Sequence, residues 1–287
     1  MVGSEQPRIK IALTGASGFV GGYVLEALAQ KSVDITAYYH KSKPNITDEN
    51  SIHWQQLDIG DIGNGPFQAM GRPDVLVHLA WGGLPNYRDN FHTLEELPRQ
   101  KRFLKALIDD GLQSLFVVGT CFEYGMVDGC LSEKMTPKPH LAYGEAKVQL
   151  LDYLIDLQKK LNFKLTWGRL FYLFGDGQGE KSLFSQFQKA VVDGDATFNM
   201  SAGEQERDFL PIEIAAEIIA NLALKRRDAG IVNICSGKPT KVRSLVEGWR
   251  KELDAKIDLN LGFYPYPDYE AMAFWGDDRK LKQLLEG

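Results

Sequence analysis

The sequence predicts an α/β protein built on a Rossmann-type, doubly wound parallel sheet. Short β-rich apolar runs alternate with longer segments whose apolar residues recur at helical spacing, and a glycine-rich turn directly follows the first run. The predicted strands are residues 9–13, 35–39, 75–79, 115–118 and 165–167. The predicted helices between them are residues 20–30, 94–109 and 143–161. Such alternation is typical of βαβ units with helices on both faces of the sheet.

The character of the sequence changes after the fifth predicted strand. A glycine-rich stretch at 174–179 and a helix candidate at 182–193 follow, before a helix at 212–225 and a strand at 231–234 return to the sheet. Helix candidates at 242–253 and 278–285 complete the chain. We therefore predict an NAD(P)-binding domain of residues 1–168 plus 209–235. Residues 169–208 plus 236–287 are predicted to form a smaller, mainly C-terminal substrate-binding lobe.

Composition restricts the class of protein. With 287 residues, 44% hydrophobic and 25% charged, the chain can bury a full core. The net charge of -5 argues against a nucleic-acid partner, and no run of about 18 apolar residues suggests a membrane span. The three cysteines, Cys121, Cys130 and Cys235, lack metal-binding spacing. We expect a cytoplasmic protein with no metal, no nucleic-acid partner and no membrane association.

The glycine-rich turn indicates a dinucleotide site. It follows the first strand and opens the first helix, the context in which glycines let the backbone approach a pyrophosphate at the positive helix end. A tight turn without a ligand is the alternative interpretation. The predicted cofactor-binding residues here are Thr14, Gly15, Ser17, Gly18, Phe19, Val20 and Gly21.

The end of the second strand bears on cofactor choice. NAD sites usually carry an acidic residue there for the ribose 2′-hydroxyl, whereas NADP sites place basic groups. This chain has His40 and Lys41 and no acid between Tyr38 and Lys43. We therefore expect NADP, with NAD as the alternative cofactor and a solvated basic turn as the alternative interpretation of the residues.

Tyr143 and Lys147 are the candidate catalytic pair. Their spacing of four residues places them on one face of a helix. Lowering a phenol pKa from 10 to neutrality requires about 4 kcal/mol, which an ammonium at about 4 Å can supply at an effective dielectric near 20. Thr120 ends the fourth predicted strand, where ligands bind in such sheets, and can hydrogen-bond the reacting oxygen.

Together, the turn, Thr120 and the Tyr143/Lys147 pair resemble the extended short-chain dehydrogenase/reductase family of nucleotide-sugar epimerases, dehydratases and reductases. The resemblance implies that Lys147 binds the nicotinamide ribose and that Arg207 clamps the substrate diphosphate. A surface Arg207 paired with Glu204 or Glu206 is the alternative. It also implies a possible homodimer. Further cofactor contacts implied by the resemblance are Asp58, Ile59, Leu79 and Ala80.

Positions at which the chain departs from the family pattern reduce the number of candidate reactions. Dehydratases carry Asp and Glu after the catalytic Thr, where this chain has Cys121 and Phe122. Tyr172 replaces an Asn that contacts the sugar nucleotide in many relatives. Trp81 either stacks on the substrate or belongs to the core, and Cys121 is interpreted as a small packed residue. The predicted substrate-binding residues are Trp81, Thr120, Cys121, Tyr172 and Arg207.

Two segments favour one reaction within the family. Residues 78–87 and 272–277 look like those of dTDP-4-keto-6-deoxyhexose reductases. The resemblance thus implies NAD(P)H-dependent reduction of the C4 ketone of a nucleotide-linked 4-keto-6-deoxyhexose, with a dTDP-linked substrate. A nucleotide-sugar C4 epimerase with tightly bound NAD is the alternative enzyme, and an NADP-sensing binding module is the alternative outside enzymology.

Overall fold

The computed structural model describes residues 8–43, 52–61, 63 and 65–286. The helices in these ranges are α1 (Phe19–Ala29), α2 (Pro66–Ala69), α3 (Leu97–Asp109), α4 (Ala142–Gln158), α5 (Leu183–Asp193), α6 (Ile212–Leu224), α7 (Val242–Glu252) and α8 (Arg279–Glu286). The strands are β1 (Ile9–Thr14), β2 (Val33–Tyr39), β3 (Ile52–Gln56), β4 (Val75–His78), β5 (Ser114–Thr120), β6 (Gly129–Leu131), β7 (Lys164–Leu170), β8 (Tyr172–Phe174), β9 (Thr197–Asn199), β10 (Glu206–Pro211), β11 (Gly230–Ile234), β12 (Pro239–Lys241), β13 (Asp258–Asn260) and β14 (Phe274–Gly276).

The main sheet has the predicted doubly wound architecture. Seven of the described strands pair in parallel in the order β3-β2-β1-β4-β5-β7-β11. The chain leaves β1 toward β2 on one side and reaches β4 on the other, which opens a crevice at their carboxyl ends. Thr14 and His78 are register partners at this point. The predicted Rossmann-type fold is confirmed.

Helices cover both faces of the sheet. On one face, α1, α6 and α8 pack their apolar side chains against β1, β2, β4 and β11. On the other, α3 and α4 pack against β4, β5 and β7. Strands buried on both faces are nearly continuous apolar runs, which is why β1, β4 and β5 were evident in the sequence.

One strand of the sheet is not among the predicted runs. β3 lies at the sheet edge, and the side chains of Ile52 and Trp54 alternate with the polar His53 and Gln55. The helix predicted over 94–109 also begins differently, because a π-helical segment, His92–Glu96, precedes α3. None of the helices in the described ranges is long and apolar enough to cross a membrane.

A second set of small sheets stands beside the main one. β8, β10 and β12 form a three-stranded sheet, while β9 pairs with β13 and β6 with β14. A separate apolar cluster around Phe187 and Trp249 joins α5 and α7 to these strands. β7 extends past residue 168 and β10 crosses residue 209, so strands run through two of the predicted domain boundaries. The division into two domains remains a prediction.

Candidate active site

The backbone of the glycine turn lies close to the residues that follow β4. Gly15 adopts φ +74°, and a Cβ there would lie 2.7 Å from the backbone nitrogen of Ala80. A Cβ on Gly21 would lie 2.0 Å from the carbonyl oxygen of Gly15. Gly18 is the N-cap of α1, and no described side chain caps that end or adds an acidic group to its first turn. This geometry fits a diphosphate, because the backbone can approach closely and the helix end is not already neutralised.

A cleft of about 460 Å³ opens above this turn. It gathers residues from the ends of β1, β2, β3 and β4, as expected for a crevice at the carboxyl edge of the sheet. The predicted residues that line it are Thr14, Gly15, Ser17, Gly18, His40, Lys41, Asp58, Ile59, Leu79, Ala80 and Trp81. Phe19, Val20 and Gly21 begin α1 and are not among the lining residues.

The cleft also contains lining residues that were not predicted. They are Tyr38, Tyr39, Leu57, Gly82, Phe91, Glu96 and Arg99. Arg99 lies close to the turn at Gly60, and its guanidinium is 3.7 Å from Glu95. At the same end of the cleft, the imidazole of His40 is 3.5 Å from the Asp58 carboxylate, with both side chains more than half exposed. Basic groups from two elements therefore reach this end of the cleft.

A buried hydrogen-bond network supports the cleft from below. The hydroxyl of Thr14 lies 2.7 Å from Nδ1 of His78, whose Nε2 bonds the side-chain oxygen of Gln100. The amide nitrogen of Gln100 donates to the carbonyl oxygen of Ala80 and to Glu96. Since the Gln100 oxygen only accepts, His78 Nε2 carries the proton and Nδ1 accepts from Thr14. Burial lowers the pKa of His78 to about 4, so the ring is neutral at physiological pH.

The signal for this network was present in the sequence. Glu96 and Gln100 lie four residues apart and interrupt the apolar face that Leu97, Phe103 and Leu104 present to the core. Polar side chains on the buried face of a helix must find partners. They therefore mark a functional or supporting site that was not recognised from periodicity alone.

Lys147 is held at the end of β5. Its side chain is 4% exposed, and Nζ donates to the carbonyl oxygen of Val118 at 2.8 Å. The ammonium also lies 3.8 Å from the centre of the Trp81 ring. Burial lowers the pKa of Lys147 to about 7, against the opposing influence of the Glu123 and Glu96 carboxylates. The predicted Lys147 is thus brought to the cleft through Trp81, which lines it.

Tyr143 lies within a cluster of aromatic rings. Its ring centre is 5.8 Å from Trp81, 5.7 Å from Tyr87 and 5.3 Å from His92. Burial raises the pKa of Tyr143 above its ordinary value of 10, and Glu123 adds to this effect. The prediction that Lys147 lowers the pKa of Tyr143 is therefore wrong. Removal from water destabilises the phenolate more than attraction to the Lys147 ammonium, 5.7 Å from the ring centre, stabilises it.

Thr120 ends β5 beside this cluster. The side chain is buried, and its hydroxyl oxygen accepts a hydrogen bond from the backbone nitrogen of Phe122 at 3.3 Å. Because that oxygen is the acceptor, its own O–H proton stays available for another acceptor. Thr120 therefore offers a hydrogen-bond donor where the sheet ends.

His92 was not predicted as a site residue. The indole nitrogen of Trp81 donates to Nδ1 of His92 at 3.1 Å, and Nε2 of His92 is 3.1 Å from the carbonyl oxygen of Asn86. Since an indole nitrogen only donates, Nε2 carries the imidazole proton. Burial lowers the pKa of His92, which favours this neutral form. His92 therefore holds the Trp81 ring over Lys147. No spacing signal in the sequence connects the two residues.

Three of the predicted substrate residues, Cys121, Tyr172 and Arg207, lie close together. Arg207 is 2% exposed and donates to the Glu270 carboxylate at 2.9 Å. The predicted alternative, a surface Arg207 paired with Glu204 or Glu206, is wrong, because Arg207 is buried and pairs with Glu270, while Glu204 pairs with Lys241. The guanidinium lies 5.8 Å from the Tyr172 ring. Its role as a diphosphate clamp remains a prediction.

Tyr172 and Cys121 complete this group. Burial, and next the Glu270 carboxylate, raise the pKa of Tyr172. Cys121 is buried, and burial raises the pKa of its thiol. A protonated buried thiol is a poor nucleophile, in agreement with the interpretation of Cys121 as a packed residue. Among the described residues, no three His, Cys, Asp or Glu side chains gather to hold a metal ion.

A second cavity borders the aromatic cluster. It has a volume of about 310 Å³ and includes Tyr87, whose carbonyl oxygen accepts from the backbone nitrogen of Tyr143. Its remaining lining residues are Pro85, Asn86, Arg88, Asp89, Leu141 and Tyr269. The backbone of α4 at Tyr143 therefore connects the wall of this cavity with the predicted catalytic residues.

Comparison with known proteins identifies relatives over most of the chain. The family described as "NAD dependent epimerase/dehydratase family" matches residues 11–235. The chain is 30% identical over 278 residues to a dTDP-6-deoxy-L-talose 4-dehydrogenase (NAD(+)) of Aggregatibacter actinomycetemcomitans, covering 93% of this chain and 99% of that protein. It is 22% identical to a GDP-6-deoxy-D-mannose reductase of Pseudomonas aeruginosa, covering 83% and 78%.

Solved structures share the fold. The UDP-glucuronic acid 4-epimerase of Bacillus cereus, in complex with UDP-glucuronic acid and NAD, superposes with a TM-score of 0.82 at 20% identity, covering 97% of this chain and 93% of that one. An NAD-dependent NDP-hexosamine 5,6-dehydratase, TunA, superposes with a TM-score of 0.82 at 20% identity, covering 98% and 92%.

Proposed function

Because the chain belongs to the NAD dependent epimerase/dehydratase family, we propose that it reduces the C4 ketone of a nucleotide-linked 4-keto-6-deoxyhexose. The observation that carries this proposal is the buried pair of Tyr143 and Lys147, which contact Trp81 at the wall of the cofactor cleft. The name of one relative, a 4-dehydrogenase of a deoxyhexose, supports chemistry at C4, and the name of another, a reductase of a deoxyhexose, supports reduction. A dehydrogenase run in reverse reduces the ketone.

Tyr143, Thr120 and Lys147 have separate roles in the proposed reaction. Bound in the cleft, a reduced nicotinamide supplies the hydride. Tyr143 keeps its proton at neutral pH, since an ordinary phenol has a pKa of about 10 and burial raises that of Tyr143 further; an alkoxide at C4 is more basic than an ordinary phenolate. Tyr143 can therefore protonate the C4 oxygen as charge develops there, while the Thr120 hydroxyl donates a hydrogen bond to the same oxygen. In its protonated form Lys147, anchored on Val118 and 5.7 Å from the centre of the Tyr143 ring, places positive charge near the phenolate left behind.

The substrate class follows from the lobe side of the site. Arg207 and Glu270 form a buried ion pair beside Tyr172, and a guanidinium suits a diphosphate. We assign a dTDP-linked sugar because the relative that shares 30% identity is named for a dTDP-linked deoxyhexose. A homodimer packed through helices remains part of the proposal.

For the cofactor we propose a preference for NADP over NAD. His40, Lys41 and Arg99 line the polar end of the cleft, and β2 ends without an acidic residue. The two cations Lys41 and Arg99, with the His40 ring as a further hydrogen-bonding group, favour a 2′-phosphate over a 2′-hydroxyl. Lys41→Ala with Arg99→Ala should reduce kcat/KM for NADPH more than for NADH. A wild-type protein that prefers NADH, as the name of the 4-dehydrogenase indicates for that relative, would contradict this preference.

An assay with purified protein, NADPH and dTDP-4-keto-6-deoxyglucose tests the reaction. We expect oxidation of the cofactor with formation of a dTDP-6-deoxyhexose. Interconversion of sugar nucleotides without net oxidation would establish the C4 epimerase instead. No turnover across nucleotide sugars, with cofactor still bound, would favour the sensing module.

Tyr143→Phe tests the assigned acid. Turnover should fall by about 10²-fold or more, while the cofactor Kd changes little, because only the transferable proton is lost. Tyr153→Phe, on the same helix and near Lys101, is the matched control and should leave turnover unchanged. A Tyr143→Phe enzyme with normal turnover would remove Tyr143 as the proton donor.

A further inference from the structure

Glu123 lies fully buried directly after the strand that carries Thr120. One carboxylate oxygen accepts from the backbone nitrogen of Thr120 at 2.8 Å and from the indole nitrogen of Trp167 at 3.0 Å. The other accepts from Nε of Arg169 at 2.6 Å, and both members of this ion pair are inaccessible to solvent. A buried charge is costly unless it is paired and hydrogen-bonded, so these contacts form one built unit.

The local sequence is adapted to this carboxylate. Thr120 and Glu123 form a capping box, in which the Glu123 carboxylate accepts from the Thr120 backbone and the Thr120 hydroxyl accepts from the following turn. A Cβ on Gly119 would lie 2.4 Å from the Glu123 carboxylate and 2.1 Å from the Trp167 indole nitrogen. Only glycine at 119 leaves room for this arrangement.

Glu123 and Lys147 are both anchored on the end of β5. Lys147 donates to the carbonyl of Val118, and Glu123 accepts from the nitrogen of Thr120, two residues further along the strand. The Glu123 charge favours the protonated form of both Lys147 and Tyr143, raising both pKa values. Among the residues that the structure describes, Glu96, His78 and His92 also interact electrostatically with Lys147, and Tyr87 and Cys121 with Tyr143.

We propose that Glu123 is a positioning residue for the proposed reduction: its buried carboxylate fixes the Thr120 turn at the end of β5 and, together with Glu96, supplies negative charge that acts on Lys147. The Arg169 guanidinium pairs with the other carboxylate oxygen and keeps the carboxylate in place. The inference rests on the proposed function for the use of Thr120 and Lys147. It adds a residue that does not touch the substrate but acts through both.

Two substitutions test the charge of the Glu123 carboxylate and the length of its side chain separately. Glu123→Gln keeps an oxygen for Thr120 and Trp167 but removes the charge. Glu123→Asp keeps the charge but is one methylene too short to serve both Thr120 and Arg169. Glu133→Gln is the matched control, because Glu133 also accepts from a backbone nitrogen, that of Asn233, and does not contribute to the pKa shift of Lys147.

The readout is the pH dependence of NADPH affinity, followed by fluorescence, together with kcat for the sugar nucleotide. For Glu123→Gln, the midpoint of the pH dependence should move down by about one pH unit, since the ammonium loses a favourable charge. For Glu123→Asp, kcat should fall about tenfold or more with the midpoint unchanged. Glu133→Gln should shift neither quantity.

The outcomes distinguish this inference from the proposed function. If Glu123→Gln does not fold because Arg169 is left unpaired, the double variant Glu123→Gln/Arg169→Met removes that conflict and serves in its place. A folded variant with the wild-type midpoint overturns the inference and leaves Glu123 a structural ion pair. A wild-type protein that binds NADPH but does not turn over the sugar nucleotide contradicts the proposed function, while the NADPH midpoint still tests Glu123.

Discussion

Lys147 experiences opposing influences on its charge. Removal from water disfavours the ammonium, while Glu123 and Glu96 favour it, and the result is a pKa lowered to about 7. The residue therefore changes charge near physiological pH, where an ordinary lysine would not. The Trp81 ring at 3.8 Å and the Val118 carbonyl give the ammonium its direct contacts. A buried lysine of this kind affects stability as well as chemistry.

The stability of the protein should depend on pH through Lys147. Between about pH 7 and the ordinary lysine value of 10.5, the unfolded chain holds this proton and the folded chain does not. The unfolding free energy therefore rises with pH in this window, by up to on the order of 1 kcal/mol per pH unit. Urea unfolding at several pH values should show that rise in the wild type relative to Lys147→Met. Parallel curves for the two proteins would contradict the lowered pKa.

At the scale of elements, the site depends on how α3 meets the ends of β1 and β4. The Gln100 side chain of α3 hydrogen-bonds both His78 of β4 and the carbonyl oxygen of Ala80. His78 in turn accepts a hydrogen bond from the Thr14 hydroxyl of β1. Every polar atom named in this chain of contacts has a partner. A satisfied network of this kind makes the position of the cleft wall rigid, because an unpaired member would be costly.

Removing the amide of Gln100 should loosen this wall. Gln100→Leu leaves the His78 Nε2 proton and the Ala80 carbonyl oxygen without their partner, each costing about 1–3 kcal/mol. We expect a loss of about 2–4 kcal/mol in unfolding free energy and a higher Kd for NADPH. Arg102→Leu, at an exposed position of the same helix, is the control and should change unfolding free energy by less than about 0.5 kcal/mol. Wild-type stability of Gln100→Leu would show that the network contributes little.

At the scale of the whole molecule, Asp208 connects the small sheets to the chain that follows β11. One carboxylate oxygen accepts from the backbone nitrogen and hydroxyl of Ser236, and the other from the backbone nitrogens of Gly237 and Gly276. Asp208 is fully buried, and burial raises the pKa of this carboxyl. It brings β10, the turn after β11 and β14 together beside the Arg207 end of the site.

Asp208→Asn should destabilise the protein although its shape is preserved. An amide NH₂ in place of one oxygen would face backbone donors instead of accepting from them, at a cost of about 2–4 kcal/mol. Chemical unfolding measures the loss, and Asp268→Asn is the control, because Asp268 is exposed and pairs only with Arg88 among the contacts described. Exposed pairs of this kind contribute about 0–1 kcal/mol. Equal stability of the two variants would exclude Asp208 as a structural anchor.

Local patterns in the sequence predicted most of the main sheet and the helix that carries Tyr143 and Lys147. The apolar runs at β1, β4 and β5 identify buried strands, and the turn from Thr14 to Gly21 predicts a cofactor site, because glycine is required where a Cβ has no room. β3 was missed because an edge strand with alternating polar residues has a weak signal. The spacing of Tyr143 and Lys147 was sufficient to place both on α4.

By itself, the sequence determined what neighbours along the chain decide: strands, helices, the glycine turn, and the residue types at the catalytic positions. Only the tertiary structure decided that Trp81 covers Lys147, that His92 orients Trp81, and that Arg207 pairs with Glu270. It also reversed the expected direction of the Tyr143 pKa. The physical reason is that desolvation and charge depend on every group packed around an atom, and those groups come from distant parts of the chain.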